Sequence, residues 1–281
     1  MAKTKQIVVL GATVALVAVL LAQPIKGLVN KEKETAAAST DSENEGSSEV
    51  NLKNVSSMSK QGLDANLVKE ISDIETQIEK ASGDDKITKL QLLATKWDDV
   101  DKPIPQGFIY EEMAGIKPEL NYWVKAGDSY RAAYTNLQDS ILSGELNKRA
   151  IHAYQEAMKI DANSLNAKTG LGAAMVSGTN NPMAGIALLR EVIQADPKNY
   201  EANKALGLFS LQSRQFDKAI DRFKTVIAQK PDAESYFYLA TGYENIGMKK
   251  DAIDAFKQAK QMAADPSLSQ FIDRKIAELS K

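Results

Sequence analysis

A set of small and aromatic residues recurs along the second half of this chain at a spacing that no single helix explains. Gly207, Ala219 and Phe223 reappear 33 residues later as Ala240, Ala252 and Phe256, and Leu206 reappears as Leu239. Gly172, Ala184 and Leu188 stand 35 residues earlier, and Gln138, Ala150 and Tyr154 another 34 before those. Pro197 and Pro231 punctuate the pattern 34 residues apart. An amphipathic helix repeats about every 3.6 residues, so a period of this length marks a stacked supersecondary unit. Local periodicity identifies the unit as helical. Leu63, Leu67, Ile71, Ile74 and Ile78 fall at intervals of three and four, as do Ile87, Leu90, Leu93 and Trp97. No segment sustains the period-two alternation of a strand. Glycine inside a helix costs about 1 kcal/mol against alanine. Gly207 and its equivalents therefore imply close helix–helix packing that offsets the loss.

The stretch "YFYLATGYENIGMKKDAIDAFKQA" places Tyr236, Leu239, Ala240, Tyr243, Ala252, Phe256 and Ala259 in a pattern that resembles the tetratricopeptide repeat family. Leu206, Gly207, Ala219, Phe223 and Pro231 repeat it, and "WVKAGDSY" offers Trp123, Ala126, Gly127 and Tyr130. In that tryptophan-bearing unit the second helix starts late, at Ala150 and Tyr154, so extra residues are expected in its first helix or its turn. A more divergent unit carries Leu90, Leu93, Ala94, Trp97, Tyr110 and Pro118, with Gln106 where a small residue is expected. The resemblance covers roughly residues 87 to 265, about five units. It implies an all-α fold, a solenoid of antiparallel helix pairs. Leu268, Phe271, Ile272, Ile276 and Leu279 share one face of a C-terminal capping helix, which a repeat array needs to cover its last unit.

Three regions are expected: an N-terminal transmembrane helix (1–29), a disordered polar linker (30–60) and the helical repeat domain (61–281). No charge falls between Lys5 and Lys26 in "QIVVLGATVALVAVLLAQPI", enough apolar chain to span a bilayer. An uncleaved signal anchor and a signal peptide cleaved before Gln23 both fit. Leu20, at a position where cleavage prefers a small residue, favours the anchor, with the bulk of the chain extracytoplasmic (periplasmic). The chain has no cysteine, which excludes a lipoprotein anchor, disulfides and thiolate metal sites. "KEKETAAASTDSENEGSSEVN" has almost no large apolar side chain and cannot offset chain entropy by burial. As a spacer it would hold the array on the order of 30 Å from the membrane.

Residues for catalysis are sparse. His152 is the only histidine, and the pairs Asp98–Asp99 and Glu111–Glu112 point apart on a helix. "TGLGAAMVSG" lacks the third glycine of a dinucleotide-binding turn, so Gly170 and Gly172 read as close-packing residues. The formal net charge of −2 gives no basic footprint for nucleic acid. No enzyme activity, metal or cofactor is expected. The resemblance instead implies a concave face, lined by first helices, that binds a protein or peptide. The alignment places Asn121, Val124, Asp128 and Arg131 there, then Asn166, Thr169 and Ala173, then Lys204, Leu208 and Gln212, then Phe237, Thr241 and Asn245. Some members of the family bind two carboxylates through a Lys–Asn–Arg clamp. Here the basic residues Lys204 and Arg131 lie in different units, so that ligand is not expected. The expected function is a membrane-tethered adaptor; the alternative is an assembly subunit of an envelope complex that uses the other faces. The sequence leaves the oligomeric state open.

Overall fold

The computed structural model describes residues 50–135, 137–179 and 181–281. The apolar N-terminal run and most of the expected linker lie outside these residues. Among the described residues there are thirteen α-helices and no strand. They are α1 (Leu52–Ser59), α2 (Ala65–Glu79), α3 (Gly83–Asp98), α4 (Pro103–Ile116), α5 (Leu120–Thr135), α6 (Ser140–Ile160) and α7 (Leu165–Gly178), then α8 (Pro182–Ala195), α9 (Tyr200–Gln212), α10 (Phe216–Gln229), α11 (Ala233–Asn245), α12 (Lys249–Met262) and α13 (Pro266–Leu279). No described helix is long and apolar enough to cross a membrane.

The five expected units are the pairs α3–α4, α5–α6, α7–α8, α9–α10 and α11–α12, with α13 packed on the last. Many of the helices start at a side-chain cap that satisfies free N–H groups. Asp64, Asp139, Ser164, Asn199, Asp232 and Asp265 each accept from a backbone N–H two or three residues ahead. The cap at Asp139 also corrects one expectation. Its carboxylate accepts from the N–H groups of Ile141 and Leu142, so α6 begins early and runs for 21 residues. Most of the extra length of that unit therefore lies in its second helix, while α5, at 16 residues, is also longer than the first helices of the later units.

Several of the periodic small residues sit where aromatic rings are wedged between helices, while Gly172 faces Leu189 and the Gly185 carbonyl. Tyr154, on α6, is fully buried. A methyl group built on Gly127 of α5 would lie 2.7 Å from its ring, and one built on Gly170 of α7 only 2.2 Å away. One ring thus fills the space between its own unit and the next. Phe223 on α10 sits under Gly207 of α9 in the same way, at 3.0 Å from the equivalent position. Gln106, on the divergent unit, is buried but paired: its side-chain amide donates to the Ala94 carbonyl at 3.3 Å and to Asp98 Oδ1 at 3.0 Å. At the far end Ile272 of α13 is fully buried, with Leu268, Ile276 and Leu279 packed beside it, as a cap requires.

Helix α1 lies inside the span 30–60 that was expected to be linker. Asn51 caps α1, and Val55 is buried against the core around Phe108 and Tyr130, with Leu52 packed beside it. Lys60 and Ser56 bond to Glu75 of α2. Arg149 of α6 donates to the Val50 carbonyl at 3.0 Å and to Glu111 at 3.1 Å, tying down the start of the array. Two apolar residues, with polar ties at both ends, are enough to order a helix in a segment whose composition reads as spacer.

Replacing Gly170 by alanine should lower stability by about 1–3 kcal/mol, because the Tyr154 ring has no room to yield. Gly144, in the exposed start of α6, has no neighbour within 4 Å of the same position. Gly144→Ala should be stabilising by up to about 1 kcal/mol. Parallel denaturant melts of the two variants measure the difference.

Candidate functional site

The first helices of four successive units, joined by Ser143 of the second helix α6, form one groove of about 790 Å³. Asp128, Arg131, Ala132, Tyr134 and Thr135 line it from α5, and Ala173, Val176 and Ser177 from α7. Glu201, Lys204, Ala205, Leu208, Phe209 and Gln212 line it from α9, and Glu234 from α11. The lining moves from the C-terminal half of α5 and α7, along the whole of α9, to the N-terminus of α11. The groove therefore crosses the helices obliquely.

Its depth follows from α7. The groove side of that helix carries Ala173, Val176 and Ser177, none of which reaches far from the backbone. Arg131 of α5 consequently spans α7 and pairs with Glu201 of α9, 70 positions along the chain, at 3.1 Å. Lys204 continues the series, donating to Glu234 of α11 at 2.7 Å. At the other end Asp128 accepts a 2.6 Å hydrogen bond from the Tyr154 hydroxyl, so the ring that joins two units also braces the groove. Acid and base alternate along the site, and their charges nearly cancel.

Titration behaviour follows from this concave setting. Asp128 keeps one side open to solvent, but the groove walls displace much of the water around its carboxylate. That desolvation is the largest influence on Asp128 and raises its carboxyl above the usual value, although the Tyr154 hydrogen bond and Arg131 oppose it. Burial works to lower the pKa of Arg131, but Tyr154, Glu201 and Asp128 outweigh it and hold the guanidinium protonated. Burial is the largest influence on Lys204 and lowers it, but Glu234, with Tyr200 and Asp232, together raise it to a net upward shift.

Of the residues expected to bind, Asp128, Arg131, Ala173, Lys204, Leu208 and Gln212 line the groove. The others lie elsewhere. Thr169 is buried at 6% exposure and faces the core. Phe237 packs against Phe256 and Phe271, with ring centroids 5.7 and 5.9 Å away, and belongs to the core beneath α13. Thr241 and Asn245 donate to carbonyls of their own helix, at Phe237 and Thr241. Asn121 and Asn166 are exposed and Val124 half-buried, all three outside the groove lining. These differences arise because a single repeat register points to the same position in every unit, whereas the groove is oblique. The same register leaves out Glu201, Ala205, Tyr134, Val176 and Ser177. Glu201 lies one turn before Lys204 and Ala205 directly after it, so the α9 stripe was within reach of helical spacing. The α5 and α7 stripes needed the crossing direction of the helices.

Among the described residues, no group of acidic or histidine side chains is arranged to hold a metal ion. His152, the one histidine, is exposed beside Glu156 and meets Trp123 edge-on at 5.9 Å.

Replacing Asp128 by asparagine keeps an acceptor for Tyr154 but removes a charge that the fold disfavours. Because the folded carboxyl titrates above its unfolded value, its ionised form subtracts from stability above that pKa, and the deficit vanishes on protonation. Asp128→Asn should therefore raise the melting temperature at neutral pH, and the gain should disappear as acid protonates the wild-type residue. Paired melts across that range read the sign.

The tetratricopeptide repeat family model matches residues 178–241, from the end of α7 into α11. No curated protein matches the chain by sequence. Among solved structures the chain is similar to PilW, described as a widely conserved type IV pilus biogenesis factor. The TM-score is 0.55 at 20% identity, over 69% of this chain and 85% of that one. It is also similar to a thermophilic tetratricopeptide protein of Thermus thermophilus, with a TM-score of 0.50 at 13% identity, over 69% of this chain and 98% of that one. At such identities the likeness is one of fold. The array is thus a solenoid of tetratricopeptide type, with residues 178–241 matched to that family by sequence.

Proposed function

We propose that this protein is a non-catalytic, membrane-tethered scaffold that holds an extended segment of a partner protein in the oblique groove. The observation that carries the reading is the groove itself, a continuous channel of about 790 Å³ across four units. Its length suits an extended chain. Leu208, Phe209, Val176 and Ala173 offer apolar contact, while Gln212, Ser177 and the half-exposed ion pairs offer exchangeable polar partners. The tether rests on the uncharged run between Lys5 and Lys26.

A photo-crosslinking side chain placed at Leu208 or the exposed Ser177 of the full chain, in its native membrane, tests the groove. Adducts are expected from both positions and not from Gln194, an exposed residue of α8. Leu208→Asp should cut the Ser177 adduct by about tenfold or more, as loss of an apolar anchor does. Adducts from Gln194 or from the exposed Ile141 in place of the groove positions would sink the groove reading and favour the assembly-subunit alternative. Mass spectrometry of the mature N-terminus tests the tether separately: an intact start is expected, and a start at Gln23 would remove it.

A further inference from the structure

A second concavity lies between α8, α9 and α10, and of the residues lining it only Phe209 also lines the groove. It is small, about 60 Å³, roughly room for a few waters or one compact oxyanion. Leu206 and Ile186 form an apolar floor, and Arg190, Lys218 and Arg222 stand around it with no acidic residue in the lining.

The three cations differ from those of the groove. Arg131 and Lys204 each pair with a carboxylate. Among the described residues, Arg190, Lys218 and Arg222 make no ion pair. Two of them are nevertheless held in place by neutral acceptors. Arg222 donates to Asn203 Oδ1 at 2.9 Å, and Asn203 is fully buried, its amide donating to the carbonyls of Pro197 and Asn199. Lys218 donates to Gln215 Oε1 at 2.6 Å, and Gln215 in turn donates to Ser213 at 2.8 Å. An amide oxygen orients a cation without cancelling its charge. Such an arrangement is pre-organised for an anion, and guanidinium groups suit the oxygens of a phosphate in particular.

We infer that the pocket of Arg190, Lys218 and Arg222 is a binding site for a tetrahedral oxyanion of the phosphate class, independent of the peptide groove. The source is either the free ion or a phosphoryl group on a larger molecule. Titration of the full-length protein with inorganic phosphate and, separately, glycerol 3-phosphate, each against matched chloride, tests it by calorimetry. Binding of phosphate alone supports the site with the free ion as its ligand. Binding of glycerol 3-phosphate, with or without phosphate, supports a carried phosphoryl group. Arg190→Gln and Lys218→Gln should each weaken binding about tenfold, the loss of one charge-assisted contact, with an unchanged melting temperature. Arg190 is exposed and outside any ion pair, so that variant leaves the fold intact. If neither titrant binds above chloride, or either variant binds like wild type, the inference fails.

Discussion

The Tyr154 ring, held between Gly127 of its own unit and Gly170 of the next, is the contact on which the middle of the array depends. A helix pair of this size cannot bury its own apolar faces, so stability comes from the stacking of neighbours. A bulky ring facing two glycines lets three helix backbones converge on one side chain. The glycines weaken α5 and α7 as isolated helices, and the packing they permit more than offsets that loss. The same ring carries its hydroxyl to Asp128, so the position of the groove wall is set by the core.

The oblique groove follows from that packing. Close approach at Gly170 draws α7 toward α6, and the small residues farther along α7 leave open space above it. Arg131 can then reach Glu201 across a whole helix. A larger residue at Ala173 would occupy that space and separate the pair.

The periodicity of small and large residues made the helix pairs legible, because small residues recur where a neighbouring helix or side chain approaches closely. Gly207 with Phe223 and Gly127 with Tyr154 are two such places, and so the fold could be read from spacing. The groove was legible only in part. Lys204, Leu208 and Gln212 followed from helical spacing on α9, but Phe237, at an equivalent place on α11, is consumed by contact with Phe256 and Phe271 of the last helices. Whether a residue faces a groove or a neighbour depends on the crossing of helices, and a repeat alignment does not contain that angle. Helix α1 was illegible for another reason: its order comes from Val55 and from polar contacts to Glu75 and Arg149, which are distant in sequence.

The two concavities divide their electrostatics in opposite ways. Groove cations are matched by half-exposed carboxylates, and pairs of that kind contribute about 0–1 kcal/mol each. A ligand that displaces one loses little, and gains little beyond replacement of the same contact. In the proposed scaffold, discrimination among groove ligands would therefore rest on apolar burial at Leu208, Phe209 and Val176, at roughly 25 cal/mol per Å². In the smaller pocket Lys218 and Arg222 are oriented by amide oxygens and make no ion pair among the described residues, so charge itself would be the selective element of the proposed oxyanion site. The two proposed sites would thus separate recognition by shape from recognition by charge, on surfaces that share only Phe209.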